Sequence, residues 1–215
     1  MMTDQASKRP GRRSASRVRQ LRVEYRRRTI LDAARTVFSR HGFAGTTVDL
    51  IAREADVAKG TLYLYYPSKS AIYAAAVVAA LEDLASETVA VLGAGGPTRD
   101  VLRAFFVTRW RYFEQHAEFF RIYLTEQGAL AQDKAGALVR REAARLHERQ
   151  VKALERVLEA GVRARELRRV NSRAAAGMLF DLSYGVIVRR LRGFAPSAAP
   201  DVDEALELLW KGLAR

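Results

Sequence analysis

The feature that most constrains the fold is a helical spacing of apolar residues along most of the chain. Apolar side chains recur at intervals of three and four residues, which places them on one face of an α-helix. No stretch of four or more residues alternates between apolar and polar side chains as a half-buried strand would, and no internal repeat is visible. The 215-residue sequence therefore predicts an all-α protein.

Capping residues and helix breakers set the predicted boundaries. Thr46 and Asp49 fit the T-x-x-D pattern that caps the start of a helix. Pro67 closes a short helix before it, and the Gly-rich segment 93–97 is the clearest internal break. The predicted helices cover residues 24–41, 46–55, 59–66, 69–92, 99–114, 117–127, 137–160, 172–193 and 202–214.

These breaks and a shift in composition divide the chain into three regions. Residues 1–23 are rich in Arg and Ser and poor in apolar side chains, which predicts a basic disordered arm. Residues 24–68 form a small helical unit, and residues 69–215 form a larger helical body.

Composition also limits the class of activity. The chain has no Cys, which excludes disulfide scaffolds, thiolate zinc sites and cysteine nucleophiles. His41, His116 and His147 lie far apart, and no phosphate loop or nucleophile motif occurs, so we expect no enzyme, no metal and no cofactor. The longest apolar stretch, 71–81, is too short to cross a bilayer. We expect a soluble, cytoplasmic protein with no membrane partner.

Positive charge is concentrated in the first third of the chain. The net charge is +13, and residues 1–69, with 15 basic and 6 acidic side chains, contribute +9 of it. Such asymmetry indicates a polyanionic partner for the N-terminal region. In the arm, Arg9, Arg12 and Arg13 are the candidate contacts. The alternative is a tail that only improves solubility.

Residues 46–69 contain two short helices joined by a three-residue turn, the helix-turn-helix arrangement. On a helical wheel, Leu62 and Tyr66 point into the small core, which leaves hydroxyl and aromatic side chains facing outward. Hydroxyls can donate to phosphates or base edges in the major groove of DNA, and Leu64 can touch a thymine methyl group. The predicted DNA contacts are Thr47, Lys59, Gly60, Thr61, Tyr63, Leu64, Tyr65 and Lys69.

Three of these positions are predicted to contact DNA for additional reasons. Gly60 lets the backbone approach DNA closely, while Thr47 and Lys69 begin helices whose dipoles favour a phosphate. The alternative for Tyr63 and Tyr65 is that they are ordinary packing aromatics.

The segment from Arg27 to Ile72 resembles a known family. Its motifs ILDAAR, TTVDLIA and VAKGTLYLYYPSK are similar to the N-terminal domain of the TetR family of transcriptional regulators. The resemblance implies a three-helix DNA-binding head, a fourth helix linking the head to the body, and a homodimer on a pseudo-palindromic operator, usually acting as a repressor. Two positions depart from the family: Leu64 stands where His or Trp is often seen, and Pro67 where Lys or Arg is common.

Large aromatic rings crowd the body between residues 105 and 123, close to Arg109, Arg111 and His116. Such rings fit either an ordinary core or a mostly apolar pocket with a few polar groups. The resemblance implies a small effector in the body, and the ring content suggests a hydrophobic or planar one. The candidate pocket residues are Phe105, Trp110, Phe113, Phe120, Tyr123 and Tyr184.

The last two helices, 172–193 and 202–214, are the predicted dimer interface, which would form a four-helix bundle with the partner. The apolar stripe assigned to this interface comprises Leu179, Leu182, Val186, Ile187, Leu206, Leu209 and Leu213. The remaining functional alternative is a constitutive or architectural DNA-binding protein without a small-molecule sensor.

Overall fold

The computed structural model describes residues 12–130, 134–194 and 199–213. Within these ranges the regular elements are all helices, which confirms the all-α prediction. The helices are α1 (Arg12–Gly45), α2 (Val48–Glu54), α3 (Lys59–Tyr65), α4 (Lys69–Leu92), α5 (Thr98–Gln115), α6 (Ala117–Leu130), α7 (Lys134–Arg163), α8 (Ser172–Leu191) and α9 (Ala199–Leu213). No helix in the described part is both long and apolar enough to cross a membrane.

Helix α1 begins earlier than the sequence analysis predicts. The sequence predicts a disordered arm over residues 1–23, whereas the structure places residues 12–23 of this arm in α1. The physical reason is that Arg, Ala, Gln and Leu are good helix formers, and no Gly or Pro interrupts them after Gly11. The side chains from 16 to 28 are exposed, so these residues of α1 lie outside the core. Arg9 lies outside the described residues.

Helices α1, α2 and α3 form a small head around one apolar centre. Ile30 and Phe38 of α1 are buried with Ile51 of α2 and Leu62 of α3. Gly42, with φ of 68°, interrupts the helical geometry of α1 before its last turn. Glycine adopts this left-handed geometry without strain, which explains the stop expected at this position.

Helix α4 joins the head to the body. Ile72 and Tyr73 at its start are buried in the same cluster as the head residues, and that cluster continues to Phe119 and Phe120 of α6. The later part of α4 packs against α5 and α7. A second cluster, which includes Phe105 of α5, fills the far end of the body. The head and body are therefore parts of one continuous packing.

The stripe predicted to form a dimer interface is shared between the two clusters, with Ile187 in the first and Leu179 and Leu206 in the second. Leu179, Ile187 and Leu206 are buried within their own chain, and Leu182 and Leu209 pack against the buried residues. The three buried residues cannot supply an interface, because the helical period identifies an apolar face but not the chain that covers it. For Leu182, Val186 and Leu209, which are half-buried, the assignment stays a prediction. The side chain of Leu213 lies outside the described part.

Candidate nucleic-acid interface and ligand cavity

The start of α2 is capped by Thr47. Its hydroxyl oxygen accepts a hydrogen bond from the backbone N–H of Leu50 at 3.2 Å. Thr46, to which the sequence analysis gave this role, is buried and donates to the carbonyl of Gly42 at 2.7 Å. The exposed Thr47 hydroxyl accepts the cap bond and can still donate its hydrogen to another acceptor, such as a phosphate.

The turn between α2 and α3 includes a residue in left-handed geometry. Asp56 has φ of 51°, which Asp tolerates better than most residues. The backbone N–H of Val57 then donates to the carbonyl of Ala52 at 3.0 Å and closes the turn. With Ala58 extended, α3 starts at Lys59.

Helix α3 has one buried and one exposed face, as the helical wheel predicts. Leu62 and Tyr66 are buried. Tyr63 is 48% exposed and Leu64 is 84% exposed, which is high for residues of such apolar area. The exposed positions at the start of the helix are Lys59 and Gly60. This exposed face therefore carries a cation, a bare backbone position, a phenol and an aliphatic side chain.

Two other predicted contacts lie at the margin of this face. Thr61 and Tyr65 are half-buried. Tyr65 packs against the core of the head, and its ring centroid lies 6.4 Å from that of Tyr66. The structure thus supports part of the packing alternative for Tyr65 while leaving Tyr63 outward.

Lys59 is already paired within the head. Its Nζ donates to Oδ2 of Asp49, in the first turn of α2, at 2.8 Å. This hydrogen bond is the main cause that raises the pKa of Lys59 above its usual value. Both side chains are exposed, so a phosphate could compete with Asp49 for the ammonium group.

Lys69 has a structural role that the sequence analysis did not predict. Its Nζ donates to the carbonyls of Phe43, Ala44 and Thr46 at 2.8, 3.4 and 2.9 Å. The ammonium also lies 4.6 Å from the centre of the Phe43 ring. An ammonium has three N–H donors, so these carbonyls at the end of α1 use its full capacity. The predicted phosphate contact at Lys69 stays a prediction and would require some of these bonds to break.

The extension of α1 carries a high density of positive charge. Residues 12–28 contain eight Arg and one Glu. The Arg side chains from 17 to 28 are exposed, so their charge is available to a polyanion along this segment. Arg12 and Arg13 open the helix, and their side chains lie outside the described part.

The body contains a cavity of about 350 Å³ between α4, α5, α6, α7 and α8. Three of the predicted pocket residues, Phe113, Tyr123 and Tyr184, line it. The other three do not: Phe105 and Phe120 are buried in the packing clusters, and Trp110 packs against both clusters. Further lining residues are Leu81, Leu84, Arg109, Ala143, Ala144, Leu146, His147, Gln150, Phe180 and Asp181.

Arg109 is the main polar feature of this cavity. It is 2% exposed, and its Nε donates to Oγ of Ser183 at 2.9 Å while its Nη1 donates to Oε1 of Gln150 at 2.7 Å. The guanidinium also lies 4.2 Å from the centre of the Phe180 ring. Burial lowers the pKa of Arg109 to about 9. From the sequence, Arg109 is only a polar neighbour of the aromatic rings, because its hydrogen-bond partners lie 41 and 74 residues away.

The cavity wall is directly connected to the head. Leu81 and Leu84 of α4 line the cavity, and between them Asp83 accepts hydrogen bonds from Arg28 and Arg35 of α1 at 2.8 and 3.2 Å. The hydroxyl of Tyr112 in α5 donates to the Ala80 carbonyl at 2.8 Å. A displacement of α4 at the cavity would therefore act on α1.

Comparisons with known proteins agree with this geometry. The family model described as bacterial regulatory proteins, tetR family, matches residues 30–76, which include α2, α3 and the start of α4. Residues 30–76 of the chain therefore belong to the TetR family. The matched segment is the one that presents the exposed face of α3.

Two regulators resemble this TetR-family chain in its N-terminal part. The HTH-type transcriptional regulator RutR of Escherichia coli K12 is 42% identical over 74 residues, which are 34% of this chain and 32% of RutR. The HTH-type transcriptional repressor KstR of Mycolicibacterium smegmatis is 38% identical over 71 residues, 33% of this chain and 35% of KstR. The aligned region thus spans about a third of the length of these relatives.

A solved structure extends the likeness to the whole fold. The transcriptional regulator FadR from Bacillus subtilis, in complex with stearoyl-CoA, superimposes with a TM-score of 0.65 and 21% identity. The superposition covers 86% of this chain and 97% of FadR. The body of this TetR-family chain therefore has the same fold as FadR, although the sequences have diverged.

Proposed function

We propose that this TetR-family chain is a ligand-responsive transcriptional regulator, acting as a repressor, that binds a pseudo-palindromic operator as a homodimer. A small hydrophobic effector in the body cavity would release it from DNA. The observation that carries this proposal is the exposed face of α3, where Tyr63 and Leu64 lie outward beside Lys59 and Gly60. Close similarity to the repressor KstR in the same segment supports it.

The exposed face of α3 suits the major groove. Tyr63 can donate a hydroxyl hydrogen bond to a base edge or a phosphate, and Leu64 can contact a thymine methyl group. Thr47, at the start of α2, is exposed where backbone N–H groups favour an anion. The Arg-rich extension of α1 adds a sequence-independent attraction to the duplex. Base selection and affinity are thus assigned to different elements.

Exposed apolar side chains on α8 and α9 support a homodimer. On α8, Met178 is 73% exposed, and on α9 Leu208 is 68% exposed. A Cβ added at Gly177, Gly185 or Gly212 would meet no atom within 4 Å, so the helices leave room for a partner there. In such a dimer, two recognition helices must lie about 34–36 Å apart to enter successive major grooves.

The connection from the cavity to the head supplies a route for release. An effector that displaces α4 at Leu81 and Leu84 would shift Asp83, whose carboxylate holds Arg28 and Arg35 of α1. The heads would then change their spacing. The effector shifts this equilibrium only by its difference in affinity for the two spacings. That a relative of the same fold is seen with stearoyl-CoA supports a ligand-holding body.

The test is selection of binding sites from a randomised DNA duplex library by the full chain. We expect enrichment of a sequence with two inverted half-sites. Leu64→Ala should alter the enriched bases at one position of each half-site, and Val107→Ala, an exposed site on α5, should not. Recovery of no sequence preference, with binding governed by salt alone, would overturn the proposal of operator recognition.

A further inference from the structure

The cavity in the body contains a cation without a matching anion. Guanidinium groups have five N–H donors, and Arg109 uses two of them on the neutral groups of Ser183 and Gln150. No described carboxylate forms a salt bridge with Arg109, and the lowering of its pKa has burial as its cause. Asp181, which also lines the cavity, is exposed. The buried charge is thus held in place but not neutralised by the described chain.

An uncompensated cation at such depth is unfavourable for the protein alone. Transfer of a charge from water into an apolar surrounding costs free energy unless the charge is paired. The hydrogen bonds from Arg109 to Ser183 and Gln150 fix its position, and the Phe180 ring at 4.2 Å lies against it. A group that is costly, oriented and placed at a cavity is suited to bind a ligand of opposite charge.

The remainder of the cavity wall is mainly apolar. Leu81, Leu84, Phe113 and Leu146 supply aliphatic and aromatic surface from three helices, α4, α5 and α7. One cation among such residues neutralises one negative charge, so a dianion would leave a net charge in the cavity. The planar fork of Arg matches the two oxygens of a carboxylate. The chemistry therefore favours a monoanion with an apolar body.

We infer that the cavity binds a small amphiphilic carboxylate, with the carboxylate at Arg109 and the apolar part against Leu84 and Phe113. At about 350 Å³, the volume suits a short chain or a compact ring system. This inference rests on the proposed ligand response. It narrows the proposed effector from any small hydrophobic molecule to one that also carries a carboxylate. Ser183 and Gln150 are positioning residues that orient the guanidinium.

The experiment compares decanoate, decanol and decylamine as probes of the full chain by calorimetric titration. These probes share an apolar chain and differ in charge. We expect decanoate to bind most tightly. Arg109→Met should weaken decanoate by roughly 10- to 100-fold, the range of a charge-assisted hydrogen bond, and leave decanol unchanged or tighter. Arg111→Met, an exposed site on the same helix, is the matched control and should not change either affinity.

A purely structural role for Arg109 makes different predictions. It requires Arg109→Met to lower the melting temperature and to weaken decanol as much as decanoate. If the unmodified chain binds decanol as tightly as decanoate, or binds none of the probes, the inference is wrong, and this comparison needs no variant. Arg109→Lys keeps a charge without the fork and should restore part of the preference for decanoate.

The same titrations separate this inference from the proposed function. Binding of the probes is measured without DNA, and operator binding is measured without the probes. Operator binding with no preference for decanoate would overturn only the anionic class of ligand. A preference for decanoate in a chain that selects no DNA sequence would overturn only the regulatory function.

Discussion

Lys69 and Arg109 are two cations of the same chain with opposite surroundings. Lys69 donates to the carbonyls at the end of α1, where the partial negative charge of the helix dipole favours a cation. Arg109 contacts only neutral side-chain acceptors in the described part. The first cation stabilises the head through its own contacts, while the second is suited to an external anion.

The role of Lys69 gives a prediction about stability. Lys69→Met removes the ammonium donor from the carbonyls of Phe43, Ala44 and Thr46, of which, among the described residues, only that of Phe43 keeps a second donor, the N–H of Thr46. We expect a loss of about 1–3 kcal/mol in the free energy of unfolding. Urea denaturation followed by circular dichroism measures this loss. Lys59→Met is the control, because its ammonium is exposed beside Asp49. Lys59→Met should weaken DNA binding and change stability little. A stability loss in Lys59→Met and none in Lys69→Met would contradict the roles given to the two lysines.

Residue burial in the head could be predicted from the helical period, whereas polar partnerships could not. The wheel placed Leu62 and Tyr66 inside, and both are buried. It could not show that Lys69 reaches back to Phe43, 26 residues earlier, or that Thr46 turns to the carbonyl of Gly42. Such bonds depend on how helices meet in space, which a local pattern does not contain.

At the scale of a helix, the residues of α3 that stabilise the fold differ from those proposed to contact DNA. A Cβ added at Gly60 would meet no atom of the chain within 4 Å. Because Ala is a better helix former than Gly, Gly60→Ala should leave the free energy of unfolding unchanged or raise it by up to about 1 kcal/mol. If the backbone of α3 approaches DNA closely at this point, the same methyl group should weaken operator binding.

Both quantities can be measured on one preparation, by urea denaturation and by fluorescence anisotropy of a labelled duplex. Leu62→Ala is the contrasting variant. Since Leu62 is fully buried, it should lose about 2–5 kcal/mol of stability and lose DNA binding only through the fold. Unchanged DNA affinity in Gly60→Ala would show that α3 does not approach the duplex at this residue.

Helix positions were well predicted from the sequence, and helix partners were not. The prediction for α4, residues 69–92, agrees with the observed Lys69–Leu92. The sequence does not predict the extension of α1, because its low apolar content indicates disorder, although Arg and Ala also favour helix. On α8, Leu179 faces the chain's own core while Met178 is exposed. The helical period of the sequence does not distinguish the buried apolar face of α8 from its exposed one. The packing of α8 against α7 and α5 makes that distinction.

For the whole molecule, the exposed face of α8 that carries Met178, together with the exposed Leu208 of α9, predicts self-association. Met178→Glu places a charge in this face, and we expect it to convert a dimer into a monomer in sedimentation velocity because a buried unpaired charge is unfavourable. Binding to a two-half-site duplex should fall with it. Val107→Glu, on the exposed side of α5, is the control and should remain dimeric. A Met178→Glu chain that still sediments as a dimer would place the interface elsewhere.

Tyr184 belongs to two surfaces at once. Its ring lines the cavity, and 42% of the residue is exposed on the helix that carries Met178. In an assembly joined through that helix, one phenol would touch both the occupant of its own subunit and the neighbouring subunit. Occupancy of the first site would then alter the affinity of the second. Such coupling would make the response to effector concentration depart from a simple hyperbola. Promoter activity would then change over a narrower range of effector concentration.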